Sequence, residues 1–243
     1  LSVTPDDYGY PQARILFFAK VPVAGRVKTR LQPMLGEAGA LALHQNLIGF
    51  GWQQLQHSAL APLQLWASDT GEEAFFTQLP GLPKIHHQIG DDLGERMHNA
   101  TGEALAEAEF VVVVGADCPS VDGAYVEQAL ALLADGVSLV LGPAEDGGYV
   151  LIGMRAPTAA AFRDIDWGQP QVMAQTRERL HKAGVCWREL PLKWDVDRPE
   201  DLKRLGTLPG WTAWIETPDG QSGNSPDTKP AMSTQSAHND IKP

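Results

Sequence analysis

Only two cysteines occur in the 243 residues, Cys118 and Cys186. Their separation matches no zinc-ligand spacing, and a chain of this length needs no disulfide framework, so reduced thiols and a cytoplasmic setting are expected. Positive charge is also scarce: 19 Lys and Arg face 30 Asp and Glu, for a formal net charge of −11. A surface that acidic repels nucleic acid and anionic lipid, which excludes both as general partners. No apolar run approaches the roughly 20 residues that span a bilayer. The opening residues, 1–14, lack the basic-then-apolar order of a secretion signal. The seven histidines form no cluster with metal-ligand spacing.

A hydrophobic fraction of 43% is enough to bury a substantial core. Short apolar runs alternate with longer helix-like stretches. Ile15 to Ala19 reads as a buried strand, followed by a helix from Gly36 to His57 with Leu41, Leu47, Ile48 and Leu55 turned inward. Leu63 to Ser68 and Lys84 to Gln88 read as strands, and Asp91 to Glu109 as a helix. Phe110 to Val114 is the plainest strand, β-branched and uninterrupted, so it belongs at the centre with both faces covered. A helix from Val121 to Ala134 follows, with Asp122 as a candidate N-cap. Val137 to Leu141 and Tyr149 to Met154 are strands separated by too few residues for a parallel crossover, which predicts an antiparallel pair. A helix from Gln171 to Ala183, a strand within Val185 to Leu192 and a helix from Pro199 to Leu205 complete the order.

Such alternation predicts an α/β fold: a three-layer α/β/α sandwich around a mostly parallel sheet. We expect an N-terminal extension over 1–14, one domain over 15–211 and a disordered tail over 212–243, which is rich in Ser, Thr, Pro and Gly. Ligands of parallel sheets bind beyond the C-terminal strand ends, so the chemistry is sought in the loops there.

Four loops stand out. AKVPVAGRVKTRL, after the first strand, carries Lys20, Arg26, Lys28 and Arg30 with no acid among them. In so acidic a chain this is the expected anion site, with Gly25 allowing backbone N–H groups close to phosphate oxygens. It is neither a Walker loop nor a GxGxxG loop. GADCP, after the central strand, places Asp117 at the crevice, either as a ligand for Mg²⁺ or Mn²⁺ on a diphosphate or as a turn cap. Cys118 reads as a small buried residue rather than a nucleophile.

GPAEDGGY offers Glu145 and Asp146, the flexible pair Gly147 and Gly148, and Tyr149. These suit sugar hydroxyls or an acceptor base, although Asp-Gly is equally a hairpin turn. WDVDRPEDL puts Asp195 and Asp197 on one face of an extended chain. One of them could complete a metal site, and Asp197 could equally cap the following helix. A fifth segment, GDDLGERM, contains Arg96, which could reach a phosphate or base or lie on a helix surface.

In this order the segments FAKVPVAGRVKTRL, GDDLGERM, GADCPS, LGPAEDGGYVLIG, Trp167-Gly168 with Val172 and Thr176, and WDVDRPEDL resemble a bacterial glycosyltransferase-A-like family long left uncharacterised. Some members are labelled arsenosugar-biosynthesis glycosyltransferases. Relatives include phospholactate and molybdenum-cofactor guanylyltransferases. The likeness runs from about residue 15 to 205. It implies the nucleotide-diphospho-sugar transferase fold, with Lys20, Lys28 and Arg30 on the nucleotide's phosphates. It also implies Asp117 as metal ligand, Asp197 as the second and Asp195 as its competitor. Many such enzymes carry Asp-x-Asp after the central strand. Here the second place is Pro119, so the metal shell is thinner.

The resulting expectation is transfer of a sugar from a nucleoside-diphosphate sugar to a small-molecule acceptor. Lys28, Arg30 and the metal would stabilise the leaving diphosphate, and Asp146 would act as acceptor base. The alternative is nucleotidyl transfer from an NTP to a phosphorylated metabolite, and a third possibility is a non-catalytic sugar-nucleotide sensor.

Overall fold

The computed structural model describes residues 7–68, 73–209 and Trp211, so the expected tail over 212–243 lies outside the described residues. Seven strands form one sheet: β1 (Ala13–Ala19), β2 (Leu63–Ala67), β3 (Ile85–His87), β4 (Phe110–Gly115), β5 (Leu139–Pro143), β6 (Tyr149–Met154) and β7 (Trp187–Glu189). Five α-helices accompany them: α1 (Gln32–Ser58), α2 (Leu93–Leu105), α3 (Gly123–Ala134), α4 (Val172–Lys182) and α5 (Pro199–Leu205). Every predicted element is present. Two short 3₁₀ turns, Glu73–Gln78 and Ala159–Ala161, have no periodic signal and were not anticipated.

The strand order is β3-β2-β1-β4-β6-β5-β7. All pairings are parallel except those of β6, which runs antiparallel to both β4 and β5. The cause is local: the loop from β5 to β6 is too short to cross over, so the chain must turn back. β1 begins at Ala13, two residues before the expected start, because Ala13 and Arg14 pair in register with Phe110 and Val111.

β1 and β4 are apolar throughout because both faces are covered. Alternation splits β1: Ile15, Phe17 and Ala19 join the core beneath α1 and α3, while Leu16 and Phe18 join a second core beneath α2 and α4. Asp122 caps α3 by accepting from the Tyr125 amide, and Asp92 caps α2 by accepting from Glu95. In α1, Gly36 takes φ 68° and breaks the helix, so its regular part starts where the sequence reading placed it. Its inward face carries Leu43 and His44 with Leu47, Ile48 and Leu55, while Leu41 is only half-buried.

At the C-terminal edge of the sheet the exits of β1 and β4 lie side by side, with Phe18 opposite Gly115. The antiparallel β6 brings its first residue, Tyr149, to the same edge. Residues 193–197 run along this edge as a strap. Lys193 donates to the Pro143 carbonyl (2.9 Å), and Val196 donates to that of Asp117 (3.0 Å). A third small core, in which Trp194 and Val196 pack with Leu31, Leu43 and Leu202, holds the strap in place. Four segments distant in sequence therefore converge on one rim.

Candidate active site

Lys28 sits at the centre of the convergence. Its backbone is left-handed (φ 46°), in the turn that leads into α1. Its side chain is only 5% exposed, and Nζ lies 2.9 Å from Asp117 Oδ1 while donating to the Val196 carbonyl at 2.6 Å. A buried ammonium is costly unless paired and hydrogen-bonded, and here both conditions hold. The cationic loop and the acid after β4 thus face one another, as the sequence reading required.

His44 joins them and was not singled out from the sequence. Its ring is buried on α1, with Nε2 at 2.9 Å from the Lys20 carbonyl and Nδ1 at 3.5 Å from Asp117 Oδ1. A carbonyl only accepts, so Nε2 carries a proton and the other nitrogen faces the carboxylate. A signal did exist: His44 follows the inward Leu43 and precedes the inward Leu47 and Ile48 at helical spacing, so it had to point into the protein.

Burial alone would raise the Asp117 carboxyl. The charge of the adjacent Lys28, with the His44 ring close by, outweighs that and holds it well below the usual carboxylate range. Oδ1 is buried, yet the side chain as a whole is 48% exposed, so Oδ2 is the atom that faces open space. Arg30 forms a close ion pair with Asp197.

Two cavities meet at Asp117. One, of about 340 Å³, is walled by Lys20, Arg26, Lys28, Arg30 and His44. The other, a cleft of about 380 Å³, shares Arg30, Asp117 and Asp197 with it and continues past Asp146 and Asp195 toward Phe18, Met97, Tyr149 and Trp167. Burial, and then the charge of Asp146, pushes the Asp195 carboxyl up to about 6. Asp146 folds back so that Oδ1 accepts from the Gly148 amide at 2.9 Å. Cys118 also lines the cleft, but its thiol donates to the Trp194 carbonyl at 2.7 Å and burial pushes it up to about 11, so it stays a protonated structural thiol.

Several expected site residues lie elsewhere. Arg96 lines neither cavity: its Nε donates to the Gly90 carbonyl at 3.1 Å and ties down the loop before α2. Glu145 pairs with Arg204 at 2.8 Å outside the cleft. Gly147 does allow a close approach, but the approaching group belongs to the protein, since a Cβ there would sit 2.0 Å from the Pro170 carbonyl oxygen. Gly25 supplies a left-handed turn (φ 75°) without lining either cavity. Trp167, by contrast, becomes a cleft wall. It lies against Gly94 of α2, where a Cβ would come within 2.4 Å of its Nε1, and edge-on to Tyr149 at 6.1 Å.

The donor set bears on whether a divalent ion could sit here. Among the described residues no group of three His, Cys, Asp or Glu side chains forms a ligand cage. The outward oxygen of Asp117 and the charge-crowded Asp195 nevertheless match what Mg²⁺ takes from such proteins, one or two carboxylates with phosphate and water completing the shell.

A mostly parallel sheet with this order and a ligand crevice beyond its strand ends defines the nucleotide-diphospho-sugar transferase fold. The chain aligns over 84% of its length with 94% of a crystal structure from Desulfovibrio desulfuricans G20, provisionally named a nucleotide-diphospho-sugar transferase, at 30% identity and a TM-score of 0.75. Residues 52–169 match a family described as an uncharacterised protein conserved in bacteria (DUF2064), and the chain belongs to this family. Two more distant structures share the fold. CMP:2-keto-3-deoxy-manno-octonic acid synthetase complexed with CTP matches at 15% identity and TM-score 0.55, over 81% of this chain and 98% of that one. Glucosyl-3-phosphoglycerate synthase from Mycobacterium tuberculosis, complexed with Mg²⁺ and uridine-diphosphate, matches at 10% identity and TM-score 0.50, over 87% of this chain and 80% of that one. No curated protein matches the chain significantly. Among the described residues no helix is long and apolar enough to cross a membrane.

Proposed function

We propose that the protein transfers a sugar from a nucleoside-diphosphate sugar to a small neutral acceptor. The observation that carries this reading is the junction of two cavities of opposite character at Asp117, one cationic and one acidic and apolar. The diphosphate occupies the cationic cavity against Lys20, Arg26, Lys28 and Arg30, while sugar and acceptor occupy the cleft. Binding exchanges the ion pairs of Lys28 and Arg30 for contacts to phosphate.

In the reaction the bond between the anomeric carbon and the diphosphate oxygen breaks, and the departing diphosphate gains negative charge. Lys28 and Arg30 are held where that charge develops. Asp146 takes the proton of the attacking acceptor hydroxyl. Asp117 and Asp195 would hold a Mg²⁺ or Mn²⁺ ion, which when bound supplies further charge neutralisation at the diphosphate. Asp197 is the competing ligand, because phosphate binding would release its carboxylate from Arg30.

Nucleotidyl transfer is the second reading, favoured by the shared fold of a CTP-bound synthetase and by the motif likeness to guanylyltransferases. It requires room for a phosphorylated acceptor. In the cleft Asp146 and Asp195 would repel one, which supports glycosyl transfer instead. The deciding assay incubates the protein and Mg²⁺ or Mn²⁺ with sugar nucleotides or NTPs and identifies the product. Free UDP or GDP from a sugar nucleotide upholds the first reading, and pyrophosphate from an NTP replaces it with the second.

A further inference from the structure

The far half of the cleft is built differently from its mouth. Apart from Asp146 and Asp195, much of the cleft lining belongs to the core beneath α2 and α4 or packs beside it: Phe18, Met97, Val113, Ile152, Trp167 and Val172. Protein interiors are close-packed, so an apolar hollow of this kind is a space reserved for a ligand rather than a packing residue. Leu93, 45% exposed, extends the apolar wall to the rim.

Charge narrows the ligand further. Arg30 is the one cationic side chain among the described residues lining this cleft, and it is paired with Asp197 at the end shared with the basic cavity. Among the described residues no cation lines the apolar part, while Asp146 and Asp195 line the same cleft. An anionic acceptor would lose its hydration there and gain no partner. The apolar half does contain a hydrogen-bonding group in waiting. The Tyr149 hydroxyl is buried on the cleft wall with no hydrogen-bond partner among the described residues, and burial keeps it protonated and therefore a donor. A buried polar group of that kind favours a ligand that presents an acceptor atom.

Accepting the donor assignment above, we infer that the acceptor is an uncharged alcohol with an apolar body, its body seated against Phe18, Met97, Val172 and Trp167 and its hydroxyl turned toward Asp146. The hydroxyl oxygen forms the new glycosidic bond, its proton passes to the Asp146 carboxylate, and the nucleoside diphosphate leaves with the electron pair of the broken bond. An oxygen atom beside that hydroxyl accepts from Tyr149.

The test uses the full chain with Mg²⁺ and the neutral fluorophore N-phenyl-1-naphthylamine as a reporter of the apolar half. Straight-chain alcohols from butanol to octanol are added as competitors, with octyl phosphate as the anionic counterpart of octanol. Displacement should strengthen about fourfold for each added methylene. Octyl phosphate should compete about tenfold less well than octanol, because its charge finds no partner. The Leu93→Lys variant alters an exposed rim position that is spared by folding, and should improve octyl phosphate about tenfold while leaving the far-ultraviolet circular dichroism unchanged. A flat chain-length series, equal competition by alcohol and phosphate, or indifference of both to Leu93→Lys would overturn the inference. Sugar-nucleotide binding is measured separately by calorimetry. If sugar nucleotides bind and the alcohol series is absent, the apolar acceptor alone is refuted. If the alcohol series is intact and no sugar nucleotide binds, the donor assignment fails and the acceptor role fails with it.

Discussion

The basic cavity and the adjoining cleft have similar volumes, about 340 and 380 Å³, and share Arg30, Asp117 and Asp197, yet they are made in different ways. The basic cavity is formed mainly by one continuous loop, residues 20–30, in which Lys28 and Arg30 are held by a carbonyl and acids brought from elsewhere and Lys20 by the Arg26 carbonyl of the loop itself. The cleft is assembled from β4, the β5–β6 hairpin, the turn around Trp167, the first turns of α2 and α4, and the 193–197 strap. One is a charged surface that needs a counter-charge to be stable. The other is an opening in a packed core whose shape depends on side-chain fit. The difference shows how a chain with a net charge of −11 can still form a cationic cavity. Lys20, Arg26, Lys28 and Arg30 are gathered in one short loop with no acid among them, and the neighbouring acids Asp117 and Asp197 pair with two of them.

The sharpest way to break the comparison is to empty the basic cavity of its central charge. Lys28→Met removes the buried partner of Asp117 and should lower turnover by about 10²–10³-fold, as loss of a charge-stabilising donor does. It should also abolish nucleotide-diphosphate binding in calorimetry, while alcohol competition in the cleft persists. Unchanged nucleotide affinity would detach Lys28 from the diphosphate.

The converse variant is Gly147→Ala, which attacks the cleft alone. Its φ of 90° and the Pro170 carbonyl at 2.0 Å from the added carbon force the hairpin and the turn before α4 apart. A cost on the order of 3 kcal/mol is expected, visible as a fall of several degrees in Tm. Residual folded protein should still bind UDP. A normal melting curve would show that this contact does not shape the cleft.

A smaller effect separates the two by pH. Asp195 is pushed up to about 6, so the folded protein holds that proton more tightly than the unfolded chain, where Asp titrates near about 3.9. Its contribution to stability is therefore complete at low pH and is lost as pH rises through about 6. Asp195→Asn should raise Tm at pH 7.5 relative to the parent, with the gain shrinking toward pH 5. A gain that grows on acidification would reverse the assignment. Least of all should change with Glu145→Ala. Its pairing with Arg204 is half-exposed, worth about 1 kcal/mol or less, and Arg204 remains over the Trp194 ring at 4.5 Å. Turnover should stay at the parental value, and a large rise in KM would return Glu145 to the sugar site.

Much of this was legible in the sequence because it depends on neighbours in the chain. Uninterrupted β-branched runs such as Phe110 to Val114 can only be buried strands, and the shortness of GPAEDGGY forces an antiparallel return. The cationic loop and the acid after β4 were recognisable because charge after a buried strand falls at the ligand edge. Roles that depend on where a side chain ends were harder to read. Arg96 and Glu145 carry suitable groups but spend them on Gly90 and Arg204. Gly147 is needed for Pro170 rather than for a ligand approach. His44 gave a signal, a polar residue on an apolar helix face, whose meaning depended on what lay opposite.

By itself, then, the order of apolar and polar residues determined the strands and helices, the reversal at β6 and the loop in which positive charge is gathered, because these follow from local periodicity and chain length. Only the tertiary structure decided that Lys28, His44, Asp117 and Val196 meet, that Arg30 closes on Asp197, and that Trp167 becomes a wall. Electrostatic pairing and packing act through space, and residues 28 and 196 come within hydrogen-bonding reach only after the sheet and its edge strap have formed.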